Sequence, residues 1–229
     1  MDPGHQDVAD RHLLNRHVRY YGDDVCAVIA ENEVAAMQAV RAIQVEYEEL
    51  PFVLDVQEAM KDGAPQLHEK YPNNILNHTQ SIAGNYQEAI KEPGLIKVEG
   101  WYDTPTVQHC HIENPISCAY MENGRIIVVT STQIPHIVRR VIGQALGIPW
   151  GKIRVIKPYI GGGFGNKQDV LYEPLNAFLT TQVGGRPVKL DISREETFCN
   201  TRTRHSIEFD LAAGVDKDGK LLAKDMHST

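Results

Sequence analysis

The chain has 229 residues, of which 42% are hydrophobic and 23% charged, a balance typical of a globular protein with a substantial core. Its net charge of −7 and the lack of a basic run exclude a nucleic-acid-binding surface. No apolar stretch reaches membrane-spanning length and the first residues lack the apolar region of an export signal, so we expect a cytoplasmic protein without a membrane partner.

The first part of the chain predicts a small β-α-β unit. Residues 24–30 are apolar in the manner of a buried strand, and residues 43–47 alternate like a second strand. Between them, Asn32 is a helix-start signal for a helix over residues 34–42. A further helical turn is expected at residues 55–60.

The middle of the chain predicts a linker followed by strands. Residues 68–95 are polar and contain Asn, Pro and Gly, with a short helix expected near residues 85–91. Strands at residues 116–120 and 125–129 flank Asn123-Gly124, a strong hairpin signal. The remaining predicted elements are a helix at 134–146 ended by Gly147, a strand at 153–157, a helix at 169–182, a strand at 187–192 and a hairpin of 205–213 with 221–227.

A glycine-rich loop, Gly161–Gln168, lies between a predicted strand and a predicted helix. Its sequence is Gly-Gly-Gly-Phe-Gly-Asn-Lys-Gln. Bare backbone N–H groups before a helix favour an anionic ligand, and missing side chains let a large group approach the main chain. The spacing fits neither a P-loop nor the dinucleotide fingerprint. The alternative is an ordinary flexible turn.

Four segments, in this order, carry a resemblance. They are Val-Glu-Tyr-Glu-Glu-Leu-Pro at residues 45–51, Gln108–Glu113, Ser-Thr-Gln at residues 131–133, and the glycine loop. Together they resemble the molybdenum-binding subunit of the xanthine dehydrogenase/aldehyde oxidase family of molybdenum hydroxylases, and the similarity spans nearly the whole chain.

The resemblance implies an α+β fold in which a hammerhead-like β-α-β domain precedes the first part of a molybdopterin-binding domain. The implied boundaries are 1–65 for a partial hammerhead-like domain, 66–94 for a linker and 95–229 for the incomplete molybdopterin-binding domain. The abrupt start and end of the sequence agree with a piece of a longer protein.

The resemblance also implies a cofactor site. The cofactor would be molybdenum-molybdopterin in its cytosine dinucleotide form, whose dithiolene holds the metal, so no protein side chain is expected to ligate it. Gln133 would place its amide against the molybdenum oxo ligand and thereby act in catalysis. The main chain at Gly162, Gly163, Phe164 and Gly165 would lie beside the metal and pterin.

The family hydroxylates an electron-poor carbon of a purine-like heterocycle or an aldehyde, with oxygen from water and a glutamate base. That base lies in a Gly-x-Gly-Glu motif far beyond residue 229, so the isolated chain is expected to be inactive. Iron–sulfur clusters and FAD would be on partner subunits or in the remainder of the protein. Gln168 would line the substrate pocket, where xanthine-oxidising members commonly have a glutamate, so its neutral amide leaves purine specificity open.

Several polar clusters have more than one interpretation. His109, His111 and Glu113 would share one face of a strand, as a metal site or as a hydrogen-bonded face. Residues 202–205 (Arg-Thr-Arg-His) suit a cofactor phosphate or a polar strand start. Lys167 suits neutralisation of cofactor charge, exposure to solvent or pairing with a carboxylate.

Two further expectations concern cysteine and function class. The four cysteines, with no Cys-x-x-Cys pair, predict reduced and mostly buried thiols rather than a cluster or zinc site. Two other function classes stay open at this point: a non-catalytic assembly module that binds a partner subunit, and a binder of a phosphorylated small molecule.

Overall fold

A computed structural model describes residues 12–229; residues 1–11 of the predicted hammerhead-like segment lie outside this range. The helices are α1 (Glu33–Ala42), α2 (Val56–Ala59), α3 (Tyr86–Ala89), α4 (Pro135–Leu146), α5 (Glu173–Gln182) and α6 (Arg194–Asn200), with 3-10 turns at Pro72–Asn74, Trp150–Lys152 and Asn166–Gln168. The strands are β1 (Ile96–Thr104), β2 (Val107–Gln108), β3 (Ile116–Glu122), β4 (Arg125–Thr130), β5 (Ile153–Ile156), β6 (Val188–Asp191), β7 (Thr203–Arg204), β8 (Ile207–Val215) and β9 (Leu221–Ser228).

The chain divides into two compact units. The first contains residues 108–203 together with the described residues before position 48, and the second contains residues 48–107 and 204–229. This division reflects spatial contact, and the domain boundaries inferred from the sequence stay predictions. No helix within residues 12–229 has the length and apolar character that crossing a bilayer requires.

The first unit is built on a four-stranded sheet in the order β5-β4-β3-β6. Strands β4 and β5 are parallel and are joined by α4, whereas β3 is antiparallel to both of its neighbours. The predicted hairpin is confirmed, since Asn123 and Gly124 both have positive φ (49° and 71°), as a type I′ turn requires. Helices α4 and α5 contact this sheet and each other, and they close the core over it.

Helix α4 ends where the sequence predicts, because Gly147 adopts φ +65° at its C-cap. Helix α5 begins at Glu173, so the predicted start at 169 is wrong. A helix from 169 would place Pro174 in its interior, where the missing N–H and the ring break the helix. Helix α6 was not predicted, although Ser193 and Glu196 form a capping box that the sequence displays.

The second unit contains a three-stranded antiparallel sheet in the order β1-β8-β9. The predicted carboxyl-terminal hairpin is confirmed as β8 and β9, with an irregular register at Gly214 and Val215. Strand β1 is exposed along almost its whole length. The helical turns expected near residues 55–60 and 85–91 form as α2 and α3, and Asp55 and Asn85 cap their amino ends.

Two predicted strands do not form. Helix α1 is present, with the Asn32 side chain accepting a hydrogen bond from the Ala35 N–H, but residues 24–30 and 43–47 on either side have no strand assignment. A strand exists through its ladder of hydrogen bonds to a partner, which an apolar or alternating sequence favours but cannot supply. The β-α-β pattern is therefore realised in its helix alone within the described residues.

The cysteines are unpaired, as expected, but they are not mostly buried. Cys26 and Cys110 are exposed, and Cys118 and Cys199 are half-buried. The prediction of buried thiols was wrong for the two exposed residues because it rested on the average burial of free cysteine rather than on their neighbours.

Candidate cofactor-binding site

The glycine loop has an unusual backbone at its tip. Gly162 and Gly165 have φ values of 96° and 99°, and Phe164 between them has φ 51°. These values are accessible to glycine at little cost but are rare for a residue with a side chain. The Phe164 side chain is 72% exposed, whereas Gly163 is buried. Such strain at an exposed loop tip is a common property of ligand-binding segments.

Gln133 lies against this loop. It follows β4 and precedes α4, and its backbone N–H donates to the Lys167 carbonyl at 2.8 Å. A Cβ atom added to Gly163 would lie 2.5 Å from Gln133 Oε1, so the amide rests directly on the bare glycine. This amide oxygen is buried and has no hydrogen-bond partner among residues 12–229. A buried polar atom without a partner requires an explanation, and a bound group that donates a hydrogen bond would supply one.

Lys167 is buried rather than solvent-facing. Its side chain is 1% exposed, and its Nζ donates to Glu113 Oε2 at 2.6 Å and to the Glu113 carbonyl at 3.0 Å. The structure therefore shows the pairing with a carboxylate and contradicts a solvent-facing lysine. Glu113 Oε2 also accepts from the Gly161 N–H at 2.8 Å, which ties the first glycine of the loop to the same carboxylate.

The pKa of the Glu113 carboxyl reflects these contacts. Burial by itself would raise this pKa, because it disfavours the charged form. The hydrogen bond from Lys167, the one from the Gly161 N–H and the positive charge of Lys167 together outweigh burial, and they hold the pKa of Glu113 below its ordinary value. Glu113 is therefore ionised at neutral pH and holds both donors.

His111 forms a second connection to the loop. It is 1% exposed, its Nδ1 lies 2.5 Å from the Glu113 carbonyl, and its Nε2 lies 3.1 Å from Asn166 Nδ2. Since a carbonyl only accepts, Nδ1 carries the proton and Nε2 accepts from the Asn166 amide. Burial, followed by the charge of Lys167, lowers the pKa of His111, so the ring is neutral.

The expected face of His109, His111 and Glu113 does not form, because residues 109–113 are not a strand. Cys110 has φ 51°, which breaks the alternation of side chains that a strand would give. His109 Nδ1 instead lies 3.2 Å from the Arg202 carbonyl. Within residues 12–229, no group of three His, Cys, Asp or Glu side chains is placed to hold a metal ion.

Sequence reasoning missed a buried polar network behind the loop. Asn166 is fully buried and donates to Thr201 Oγ1 at 3.1 Å, and Gln108 Nε2 donates to the Thr197 carbonyl at 2.9 Å. Arg194 donates to the His111 carbonyl at 2.8 Å. These partners come from α6 and its carboxyl end, and a sequence pattern that does not predict α6 gives no signal for them.

The remaining site predictions lie at the loop margin. Gln168 is exposed, and its N–H donates to the Gly165 carbonyl at 3.1 Å at the end of the 3-10 turn. Arg202 forms an ion pair with the carboxylate of Asp169, which neutralises its charge. Its role toward a cofactor phosphate stays a prediction.

A molybdopterin group fits these residues. The loop offers bare backbone at Gly162 and Gly163, and the Gln133 amide, whose oxygen has no partner among the described residues, lies beside it. Rotation of that amide exchanges its acceptor and donor ends, so it can serve an oxygen or a nitrogen of the bound group. Lys167 adds no free charge, since Glu113 neutralises it.

Comparison with known proteins agrees with the motifs. Residues 67–229 match the family model of the molybdopterin cofactor-binding domain, and residues 2–51 match that of the aldehyde oxidase and xanthine dehydrogenase a/b hammerhead domain. The chain is 50% identical over 222 residues to the xanthine dehydrogenase molybdenum-binding subunit of Escherichia coli O157:H7, covering 96% of this chain and 29% of that protein.

Two further relatives are more distant. The nicotinate dehydrogenase large molybdopterin subunit of Eubacterium barkeri is 34% identical over 212 residues, covering 92% of this chain and 49% of that protein. The crystal structure of quinoline 2-oxidoreductase from Pseudomonas putida 86 has a TM-score of 0.85 at 28% identity, covering 98% of this chain and 29% of that chain. The chain thus spans less than half the length of each of these three relatives.

The α+β fold class with its hammerhead and molybdopterin-binding segments is confirmed by these matches. The molybdopterin-binding model covers more than half of the chain. The chain therefore belongs to the xanthine dehydrogenase and aldehyde oxidase family of molybdopterin-dependent oxidoreductases, as its motifs predicted.

Proposed function

We propose that this chain is part of the large subunit of a molybdenum hydroxylase that hydroxylates an aromatic nitrogen heterocycle with oxygen from water. The observation that carries the proposal is the contact between Gly163 and the side-chain amide of Gln133, whose buried oxygen has no hydrogen-bond partner among residues 12–229. Bound molybdopterin supplies the redox chemistry and activates the oxygen, while this chain supplies the surface that holds and orients it.

Each proposed site residue has a distinct role. Gln133 hydrogen-bonds an oxygen of the bound cofactor through its side-chain amide, which adds no charge and displaces no ligand. The main chain at Gly162, Gly163, Phe164 and Gly165 would lie beside the cofactor, since the three glycines leave the backbone bare. The Phe164 side chain is exposed at the tip of the loop. No protein side chain of this set ligates the metal.

A heterocyclic substrate is supported by the names of the relatives. Xanthine, nicotinate and quinoline are all aromatic nitrogen heterocycles. Gln168 is exposed beside the loop, and its neutral amide can hydrogen-bond a ring nitrogen as donor or acceptor. Because it lacks the charge of a glutamate, we expect a broader choice of heterocycle than xanthine alone, with aldehydes as the alternative substrate class.

The proposed assembly extends beyond this chain. Electrons leave the site through iron–sulfur clusters and FAD on partner subunits or in the remainder of the protein, and the cofactor is the cytosine dinucleotide form. The glutamate base belongs to the remainder, so we expect the isolated chain to be inactive, since a positioned base contributes about 10²–10⁴-fold. Turnover of hypoxanthine by the purified 229-residue chain would contradict the fragment interpretation. The enzyme is proposed to work in the cytoplasm.

The test uses the full-length subunit, expressed with the factors that mature the cofactor. The molybdenum content per protein tests whether the cofactor is bound, and the nucleotide released on denaturation tests whether it is the cytosine dinucleotide form. Oxidation of xanthine, nicotinate, quinoline and benzaldehyde in isotope-labelled water, with an artificial electron acceptor, tests the reaction. We expect labelled oxygen in at least one heterocyclic product and slower turnover of the aldehyde.

The outcomes separate the proposal from its rivals. A subunit that contains molybdenum but oxidises only benzaldehyde would replace the heterocycle with an aldehyde. A stable subunit that contains no molybdenum, yet binds an iron–sulfur or flavin subunit, would favour the assembly module. Binding of a phosphorylated small molecule by a metal-free subunit would favour the third alternative.

A further inference from the structure

We propose that Lys167 and Glu113 form a positioning pair, which fixes the shape of the glycine loop and the placement of the Gln133 amide toward the bound cofactor. The inference rests on the proposed function. It assigns a role to one residue within the loop, Lys167, and to one outside it, Glu113. Three features of their geometry carry it.

The first feature is the burial of Lys167, whose partner Glu113 is 32% exposed. Lysine is almost never fully buried unless it is paired, and Lys167 is 1% exposed. A buried ion pair adds little net stability, because the loss of hydration offsets the attraction. Replacing such a pair with apolar side chains is often harmless to folding. The contribution we assign to this pair is therefore geometric.

The second feature is that Lys167 connects both sides of the site. Through its side chain it holds the Glu113 carboxylate, which accepts from the Gly161 N–H at 2.8 Å. Through its backbone carbonyl it accepts from the Gln133 N–H at 2.8 Å. One residue thus fixes the first glycine of the loop and the main chain of Gln133.

The third feature is the absence of space along this connection. A Cβ on Gly161 would lie 2.6 Å from Glu113 Cβ, and one on Gly163 would lie 2.5 Å from Gln133 Oε1. The Glu113 N–H also donates to the Gly161 carbonyl at 3.3 Å. In packing this close, a shift of Glu113 moves Gly161, and a shift of the loop moves the Gln133 amide.

The experiment replaces Lys167 with methionine in the full-length subunit. Lys167→Met removes the charge but keeps an unbranched side chain in the buried position, and Glu113, which is 32% exposed, can turn toward water. The matched control is Lys189→Met, which breaks the ion pair of Lys189 with Asp191 at 2.7 Å, where both side chains are more than half exposed. Molybdenum content, turnover per molybdenum, the molybdenum-edge X-ray absorption spectrum and thermal unfolding are measured for each.

We expect Lys167→Met to lower turnover per molybdenum by about 10–100-fold, the usual effect of losing a group that orients a metal's surroundings. The absorption spectrum of the loaded protein should change, and its unfolding temperature should match that of the control. Glu113→Gln should lose less, since the amide oxygen still accepts from Lys167 and Gly161. Lys189→Met should leave all four measurements unchanged.

A structural role would give a different pattern. If loaded Lys167→Met protein keeps its turnover per molybdenum and its spectrum, the positioning role is refuted. If it unfolds early, the double variant Lys167→Met/Glu113→Gln, which leaves no unpaired charge, decides the matter. Restored stability with restored turnover refutes the positioning role, and restored stability with low turnover supports it. Continued early unfolding of the double variant also refutes it. A wild-type subunit without molybdenum refutes both this inference and the proposed function.

Discussion

The sheets of the two units bury their apolar side chains to different extents. In the first unit, Val128, Val138 and Ile142 are fully buried between the four-stranded sheet and its helices. In the second unit, Val98 and Trp101 of β1 are 51% and 58% exposed. Both sheets are rich in apolar residues, so composition does not distinguish them. What differs is how much of the sheet the same unit covers: α4 and α5 close over the four-stranded sheet, whereas the short helix α3 contacts β9 of the three-stranded sheet.

This difference explains where the candidate site is found. A bare-backbone loop holds one shape only if its surroundings are rigid, and the loop lies in the unit with the dense core. Its polar supports, among them His111, Asn166 and Lys167, are themselves fully buried. The three-stranded sheet offers no comparable packing within its own unit, and no proposed site residue belongs to it.

The largest expected effect comes from a substitution that disrupts the packing at the loop. Gly163→Val places a branched side chain where the first added carbon already overlaps Gln133, so we expect a full-length subunit with little molybdenum. Gly163 does not have a positive φ, so the penalty is steric overlap rather than backbone strain. Metal analysis of the purified protein checks it. The control is Gly151→Val, where an added Cβ meets nothing within 4 Å. Full metal occupancy in Gly163→Val would show the assignment to be wrong.

The second prediction tests the contrast between the units directly. Ile142→Ala should destabilise the chain by about 2–5 kcal/mol, because it leaves a cavity in a closed core. Val98→Ala should change the free energy of unfolding by about 0.5 kcal/mol or less in the isolated chain, since the side chain is half-exposed. Denaturant unfolding of both variants checks this. An equally large cost for Val98→Ala would abolish the distinction, and a cost seen only in the full-length subunit would show that further protein covers β1.

The third prediction concerns the Gln133 amide. Gln133→Ala in the full-length subunit should lower turnover per molybdenum by about 10–100-fold and leave most of the metal bound, because an outer amide orients the cofactor without holding it. Gly163→Ala should have a similar effect, since its Cβ displaces the flexible end of Gln133. Combining the two should cost little more than Gln133→Ala alone. Additive losses would mean that Gly163 acts independently of Gln133.

The smallest expected effects are two pH dependences of opposite sign. The pKa of Glu113 is lowered in the folded state, so its contribution to stability is present above the ordinary glutamate pKa and is lost as the pH falls through the folded value. Glu113→Gln should flatten the acid side of the stability curve. Free energies of unfolding between about pH 3 and pH 6 check this. An unchanged acid slope would contradict the lowered pKa.

Glu173 provides the opposite case. It is buried beside Thr130, and burial raises its pKa. Between the ordinary glutamate pKa and the raised folded value, the folded state keeps a proton that the unfolded state releases. Stability therefore declines as the pH rises through this range. Glu173→Gln, which resembles the neutral acid, should remove that decline. A variant that loses stability at neutral pH relative to wild type would show that the carboxylate form is the native one.

The sequence predicted the local elements whose signals lie in the chain itself. Asn123-Gly124 forms its hairpin turn and Gly147 ends α4, because each requires a backbone conformation that these residues favour. Pro174 likewise fixes the start of α5, although the prediction overlooked it. The strands predicted at residues 24–30 and 43–47 do not form, because a strand needs a hydrogen-bonded partner strand and only the tertiary structure supplies one.

The candidate site follows the same division. The resemblance placed the glycine loop and Gln133 beside one cofactor, a role that stays a prediction, and the chain folds so that a Cβ on Gly163 would overlap the Gln133 amide. Only the tertiary structure decided that Lys167 is buried against Glu113 and that His111 supports Asn166. Burial and hydrogen-bond partners depend on which distant segments meet. The sequence does not reveal them, because lysine, glutamate, histidine and asparagine are commonly exposed to solvent.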